Sequence, residues 1–433
     1  MQSTNNTYKT GLLIFVLSLL CFPFIQSKFN IIKMPPLQGA YATPPKNARV
    51  NLADWLSGDY QAKKEDYLKN SFGFRDYLIR IHNQFEYSLY HKVNAKDVIV
   101  GKNNYLFEIH YIQGYYGTDF AGMDSINNSM GRLKFINDTL KKLGKSLLLI
   151  IAPSKAEFYP EYIPDNYKTP KTNTNYNSYL KQIKESGIDY IDFNGYFVEN
   201  KNKSKYPLMP INGVHWSMYG VGLAGDSIVK YIEKERHIIM PQAVWKNIRI
   251  GKDEGFDVDM ENAMNLILPL PSPPMAYPEI KFKKDSTKTR PNVLVVGDSY
   301  YWGLVAGYDI EHGFSRKSDF WYYYKKLEHG TVTRQQLKDE IAKEDVIIIL
   351  ATAHNWGDIG WGFIEDTYDL FKGIIPIPFD KEKYRQKLEY IKNVIRNDKN
   401  WYAKIVAGAK EKNISLDSAL NANAAWMIEH TKQ

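Results

Sequence analysis

Hydrophobic and polar positions alternate along this 433-residue chain in textures that change with distance from the N-terminus. Residues 11–25 (GLLIFVLSLLCFPFI) are almost wholly apolar and follow ten polar residues carrying one cation, Lys9. Such a run is short for a spanning helix, which takes about 20 residues, but has the length of an export-signal core. No small-x-small cleavage site follows it, and Leu20 precedes Cys21 where a lipid-attachment site wants Gly, Ala or Ser. Residues 1–28 are therefore read as a signal anchor in preference to a cleaved signal peptide. Lys9 stays cytoplasmic and the rest of the chain faces outward, periplasmic or extracytoplasmic.

Residues 29–58 read as an extended tether, and 59–123 as a helical and hairpin N-terminal region. A helix over about 59–70 ends at FGFRD (72–76), and from Phe74 the apolar positions 74, 77, 78, 81, 85 and 89 mark an amphipathic helix. VIVGKNNYLFE (98–108) predicts two short strands about a Gly/Asn turn. From 124 to 379 continuous apolar runs alternate with helical stretches: SLLLIIAP (146–153), DYIDF (189–193), NVLVVGDS (292–299) and DVIIILAT (345–352) as strands. Helices fall between them, at about 124–143, 174–186 and in the second half of 215–234. This is an α/β pattern with a mostly parallel sheet covered on both faces. The Pro-rich LPLPSPPMAYP (268–278) predicts a surface loop, and 380–433 a helical C-terminal extension.

Composition narrows the chemistry. A single cysteine excludes a disulfide scaffold or a multi-thiolate zinc site, and a net charge of +8 without a Lys/Arg block argues against nucleic acid as a partner. Phosphate-cradling glycine loops are absent, no cofactor is implied, and no His or Cys spacing suits a metal. Aromatic residues reach 14%, which fits either sugar-stacking surfaces or compositional drift. Paired carboxylates of a glycosidase stay open, with Asp192, Asp253, Asp257 and Asp259 as members, although solvated surface roles are the commoner case.

Gly297-Asp298-Ser299 ends a buried strand, where an open parallel sheet presents side chains to ligand. The same tripeptide at 225–227 lies inside a helical pattern, so context singles out Ser299 as the candidate nucleophile. A serine hydroxyl needs a base. Of nine histidines, His354 follows a strand and His215 stands in GVHWS (213–217) just before a helix. The others, His329 among them, have no companion motif.

FGFRD (72–76), VIVGKNNYLF (98–107), APSKAEFYPEYIP (152–164), GVHWS (213–217), VVGDSYYWGL (295–304) and GWGFIED (360–366) occur in this order. Together they resemble the SGNH-hydrolase-like proteins of the alginate O-acetyltransferase type, the AlgJ/AlgX group. The resemblance implies an SGNH-like α/β/α sandwich in circularly permuted order, with the histidine motif ahead of the serine motif. It implies Ser299 as acyl-accepting nucleophile and His215 as its base. It also implies transfer of acetyl groups to hydroxyls of an exported polysaccharide, beside a membrane-bound O-acyltransferase as donor partner. That family's pattern is Asp-x-His-Trp, and here Gly213 holds the Asp position. A backbone carbonyl orienting His215 is the preferred reading; an acid from elsewhere and a weakened site are the others. Asp298 and Asn355 are supporting or oxyanion candidates. Lys155, Trp216, Tyr300, Tyr301 and Trp302 are substrate-binding candidates, with packing as the alternative for the aromatic four and an ordinary surface position for Lys155. A polysaccharide acetyl esterase using the same residues, or a non-catalytic glycan-binding scaffold, are the competing functions.

Overall fold

The computed structural model describes the chain except residues 1, 34, 40–44, 284, 327–329, 374–380, 412–413 and 431–433; His329 lies outside the described residues. Two compact units are present, Met1–Tyr368 and Asp369–Gln433.

The first unit begins with helix α1, Gln2–Phe29. Its stretch Tyr8–Phe29 has 22 residues, reaches a mean hydropathy of 2.0 over its most apolar 18, and is long and apolar enough to cross a membrane. The apolar run alone is shorter than a span; the helix continues through its polar flanks and makes up the length. Within the expected tether, Leu52–Ser57 is helical, because the Asn51 side chain accepts from Asp54 N at 2.8 Å and caps it. Helix α2, Arg75–Tyr90, leads to the hairpin of β1 (Val98–Val100) and β2 (Leu106–Glu108).

The seven-stranded sheet is built from β3 (Ser146–Ala152), β4 (Asp189–Asp192), β7 (Val293–Gly297), β8 (Asp319–Tyr322), β9 (Lys325–Lys326), β10 (Gly330–Thr331) and β11 (Val346–Thr352), in the order β10-β9-β8-β7-β11-β3-β4. From β8 to β4 every pairing is parallel; β9 and β10 add an antiparallel edge. All residues of β3, β7 and β11 are buried, which is why these strands read as unbroken apolar runs. Helix α3 (Met123–Lys142) packs on β3 and on α4 (Asn175–Ser186). Helix α5 (Met218–Arg236) starts where Ser217 Oγ accepts from Gly220 N at 3.0 Å, and buries Val221, Ala224, Ile228 and Ile232 in one core with Leu148, Ile150, Val295 and Ile348. Ser227 lies mid-helix and exposed on α5, as its pattern predicts.

Two parts differ from expectation. The Pro-rich stretch is a loop only to residue 274; Met275–Phe282 forms β6, antiparallel to β5 (Ala243–Gly251). Pro278 lies opposite Ile248, where the register slips between Trp245 and Ile248, and beside such a bulge a missing N–H is tolerated. Strand β8 is four residues of mostly aromatic sequence, too short for its hydrophobic pattern to announce. Among its described residues the second unit packs the helices Lys381–Asn397, Lys399–Glu411 and Leu416–His430 around Ile395, Ile405, Leu420 and Ala424. Lys392 bridges Glu389 and Asp417 there, 2.9 Å from each.

Candidate active site

Strands β7, β11 and β3 end side by side, and their carboxyl ends carry Ser299, the 352–355 turn and Lys155 respectively. Asp298 ties two of these ends together. Its buried carboxylate accepts from Thr352 N (2.7 Å), Thr352 Oγ1 (3.0 Å), Asn355 Nδ2 (3.0 Å) and Tyr300 N (3.1 Å). Burial pushes this carboxyl above its ordinary range, while the four donors pull it down. The result is a clamp that fixes the turn presenting Ser299. Asn355 belongs to the same clamp: its amide donates to Asp298 and, at 3.1 Å, to Thr352 Oγ1. Its donors are committed there, which removes the ground for expecting it to face an oxyanion.

His215 lies on the loop before α5. Its Nε2 is 2.8 Å from Ser299 Oγ, and its Nδ1 pairs with Asp259 Oδ2. A carboxylate only accepts, so Nδ1 carries the proton and Nε2 offers its lone pair to the serine hydroxyl. The other Asp259 oxygen accepts from Val214 N at 2.8 Å, so one carboxylate holds both the ring and its backbone. His215 is 9% exposed. Burial lowers its pKa, but the Asp259 charge and hydrogen bond, with Asp298 and Glu108 farther off, raise it more, and the net direction is above 6.5.

The orienting acid therefore comes from elsewhere in the chain, 44 residues after the histidine, and not from a backbone carbonyl. Gly213 has a steric reason. A Cβ there would stand 2.3 Å from Phe256 O and 2.8 Å from Asp257 O, so the loop that delivers Asp259 occupies the space an aspartate side chain at that position would need. Sequence reasoning missed Asp259 and grouped it with surface carboxylates. The only signal was indirect: a glycine where an acid is usual, followed by the acid-rich stretch 253–261.

Lys155 is not on the surface. It is fully buried, and its Nζ donates to Ile211 O at 2.7 Å and to Gly213 O, pinning the segment that leads into His215. Burial pushes its ammonium down to about 7, against the opposing pull of Asp259, Asp257 and Glu108. Trp216 and Tyr300 are buried too; Tyr300 Oη donates to Val214 O at 2.6 Å and its ring lies 4.8 Å from His215. They pack the loop from behind and offer no face to a sugar. Tyr301 is 3% exposed; Trp302 is half-buried. Both line a cleft of about 760 Å³ with Arg290, Arg316, Asp319 and Phe320, and neither Ser299 nor His215 lines it. His354 hydrogen-bonds Thr352 Oγ1 at 2.9 Å and stacks near Tyr111; burial pushes it down to about 3, so it stays neutral. Among the described residues no three His, Cys, Asp or Glu side chains converge as a metal site.

A serine, histidine and aspartate hydrogen-bonded in series at the carboxyl ends of a parallel sheet make a site suited to acyl transfer or ester hydrolysis. Residues 98–304 match the family model described as the SGNH hydrolase-like domain of acetyltransferase AlgX. The protein named "Probable alginate O-acetylase AlgJ" of Pseudomonas aeruginosa is 22% identical over 244 residues, covering 52% of this chain and 59% of that protein. Its namesake in Pseudomonas syringae pv. tomato is 21% identical over 173 residues, covering 40% and 42%. The chain thus aligns with less than two thirds of the length of these relatives. Among solved structures, the O-acetyltransferase domain of Pseudomonas putida AlgJ aligns with 63% of this chain and 98% of its own, at 17% identity and a TM-score of 0.42.

Proposed function

We propose that this protein is an extracytoplasmic O-acetyltransferase that moves acetyl groups onto hydroxyls of an exported polysaccharide through an acetyl-serine intermediate. The observation that carries the reading is the hydrogen-bonded series Ser299–His215–Asp259. In the first half-reaction His215 Nε2 takes the Ser299 proton as Oγ attacks the donor's acetyl carbonyl. The imidazolium is stabilised by Asp259, and the Ser299 N–H, at the start of the helical turn Tyr300–Gly303, is the backbone donor assigned to the oxyanion. His215 then returns the proton to the departing group and leaves acetyl-Ser299. In the second half a sugar hydroxyl gives its proton to His215 and attacks the same carbonyl; as the ester bond to Ser299 breaks, His215 passes that proton to Oγ and restores free serine.

The setting supports the same direction. Helix α1 has the length and apolarity to hold the domain at a membrane, where a membrane-bound O-acyltransferase would serve as the acetyl source. The absent side chain at Gly213 motivated a weakened or scaffold role, and Asp259 supplies the group whose loss that role assumed.

Since the curated relatives are named alginate O-acetylases, alginate oligosaccharide is the first acceptor to test. The full-length protein is given an activated acetyl ester with and without the oligosaccharide, and acetate release is compared with acetylated sugar. A transferase diverts acetyl to sugar as acceptor rises. Acetate release unchanged by any polysaccharide acceptor would make the protein an esterase.

A further inference from the structure

Helix α2 is seated the wrong way round for a soluble domain. Its polar side meets the body: Asn83 and Tyr87 are its buried residues, Asn83 Nδ2 donates to Met264 O at 2.9 Å, and Gln84 Oε1 accepts from Leu268 N at 2.9 Å. The apolar stripe read from the sequence faces out, with Leu78 47%, Ile81 42%, Phe85 56% and Leu89 59% exposed. The turn leading into α2 is fastened to the end of α1. Gly73 N donates to Pro23 O at 3.1 Å, Ser27 Oγ donates to Ser71 O at 2.7 Å, and the Phe22 and Phe74 rings lie 5.2 Å apart.

These contacts fix a depth. At about 1.5 Å per residue the 22 residues of the apolar stretch cover roughly 33 Å, close to the hydrocarbon thickness. Residues 22–27 then lie within about 10 Å of its outward end, among the outer acyl chains next to the interfacial layer. We propose that α2 lies in the outward lipid–water interface of the membrane that α1 crosses, with Leu78, Ile81, Phe85 and Leu89 among the upper acyl chains. An amphipathic helix that presents Leu and Phe on one face binds such a layer by burying that face. This placement rests on α1 being a membrane-spanning anchor.

The test uses the full-length protein in vesicles of phosphatidylethanolamine and phosphatidylglycerol containing lipids with a nitroxide on the acyl chain. A fluorophore is attached to the native Cys21, or, in a Cys21→Ser background, to Ile81→Cys, Phe85→Cys or, as a control on α5, Ser227→Cys. With α2 in the interface, the Cys21, Ile81→Cys and Phe85→Cys probes lose roughly half their emission or more, and Ser227→Cys keeps its own. Quenching at Cys21 with Ile81→Cys and Phe85→Cys as bright as Ser227→Cys would overturn the placement of α2 and leave the anchor standing. An unquenched Cys21 would overturn the anchor, and the placement with it.

Discussion

At the scale of single residues, Asp259 does two jobs with one carboxylate, gripping both the His215 ring and the Val214 N–H. Asp259→Asn keeps the shape and loses the charge. We expect kcat/KM to fall on the order of 10³–10⁴-fold, as loss of an orienting acid does elsewhere. The pH profile carries a separate signature. His215 must be neutral to act as base, so activity in the wild type rises with pH through a midpoint above 6.5. With the charge that raises it gone, burial dominates and the Asp259→Asn midpoint moves down. A rate loss with the midpoint unmoved would mean Asp259 is a packing residue. Ser299 and His215, the proposed nucleophile and base, were legible as candidates because each sits in a motif beside an element boundary. The acid was not, because its position depends on how the 253–259 loop folds back over Gly213, a contact with no local pattern.

At the scale of elements, the loops around the site bury charge at a cost that pH should expose. Burial, with Asp253 and Asp259 near, pushes Asp257 up to about 7 from 3.8, against a downward pull from the Tyr277 hydroxyl. Between those values the folded form keeps a proton that the unfolded chain releases, so this group's contribution falls as pH rises from about 4 to 7. Lys155 runs the other way. Its folded value of about 7 lies below the ordinary 10.5, so stability from this group is gained as pH climbs from 7 toward 10.5. Denaturant unfolding across pH checks both. Asp257→Asn should be the more stable form at pH 7 and match the wild type near pH 4, and Lys155→Met should lose the alkaline rise. Slopes unchanged in the two variants would contradict the assignment. The central strands were legible because burial on both faces leaves unbroken apolar runs. Strand β6 was hidden by its proline, which a bulge accommodates, and the apolar stripe of α2 gave the helix but not the direction it faces.

For the molecule as a whole, the order of motifs along the chain was legible and the placement of charge was not. Lys155, read as a sugar-binding or surface lysine, is a buried strut, and Trp216 and Tyr300, read as sugar-stacking or packing residues, pack behind the His215 loop. Both placements have one cause: residues flanking a strand end face ligand or core according to the loops laid over them, which alternation along one segment does not encode. A membrane origin also makes a molecular prediction. Protein extracted from membranes should retain residues 1–10 in its N-terminal peptide; a mature N-terminus beyond residue 25 would show that α1 is cleaved. The most direct test of the central claim is intact-mass measurement after brief exposure to an activated acetyl ester. The acetyl-serine mechanism requires an adduct of roughly 42 Da on the full-length protein that is absent in Ser299→Ala and slow to form in Asp259→Asn. An adduct that persists in Ser299→Ala, or turnover without one when Ser299 is intact and deacetylation is slowed, would contradict it.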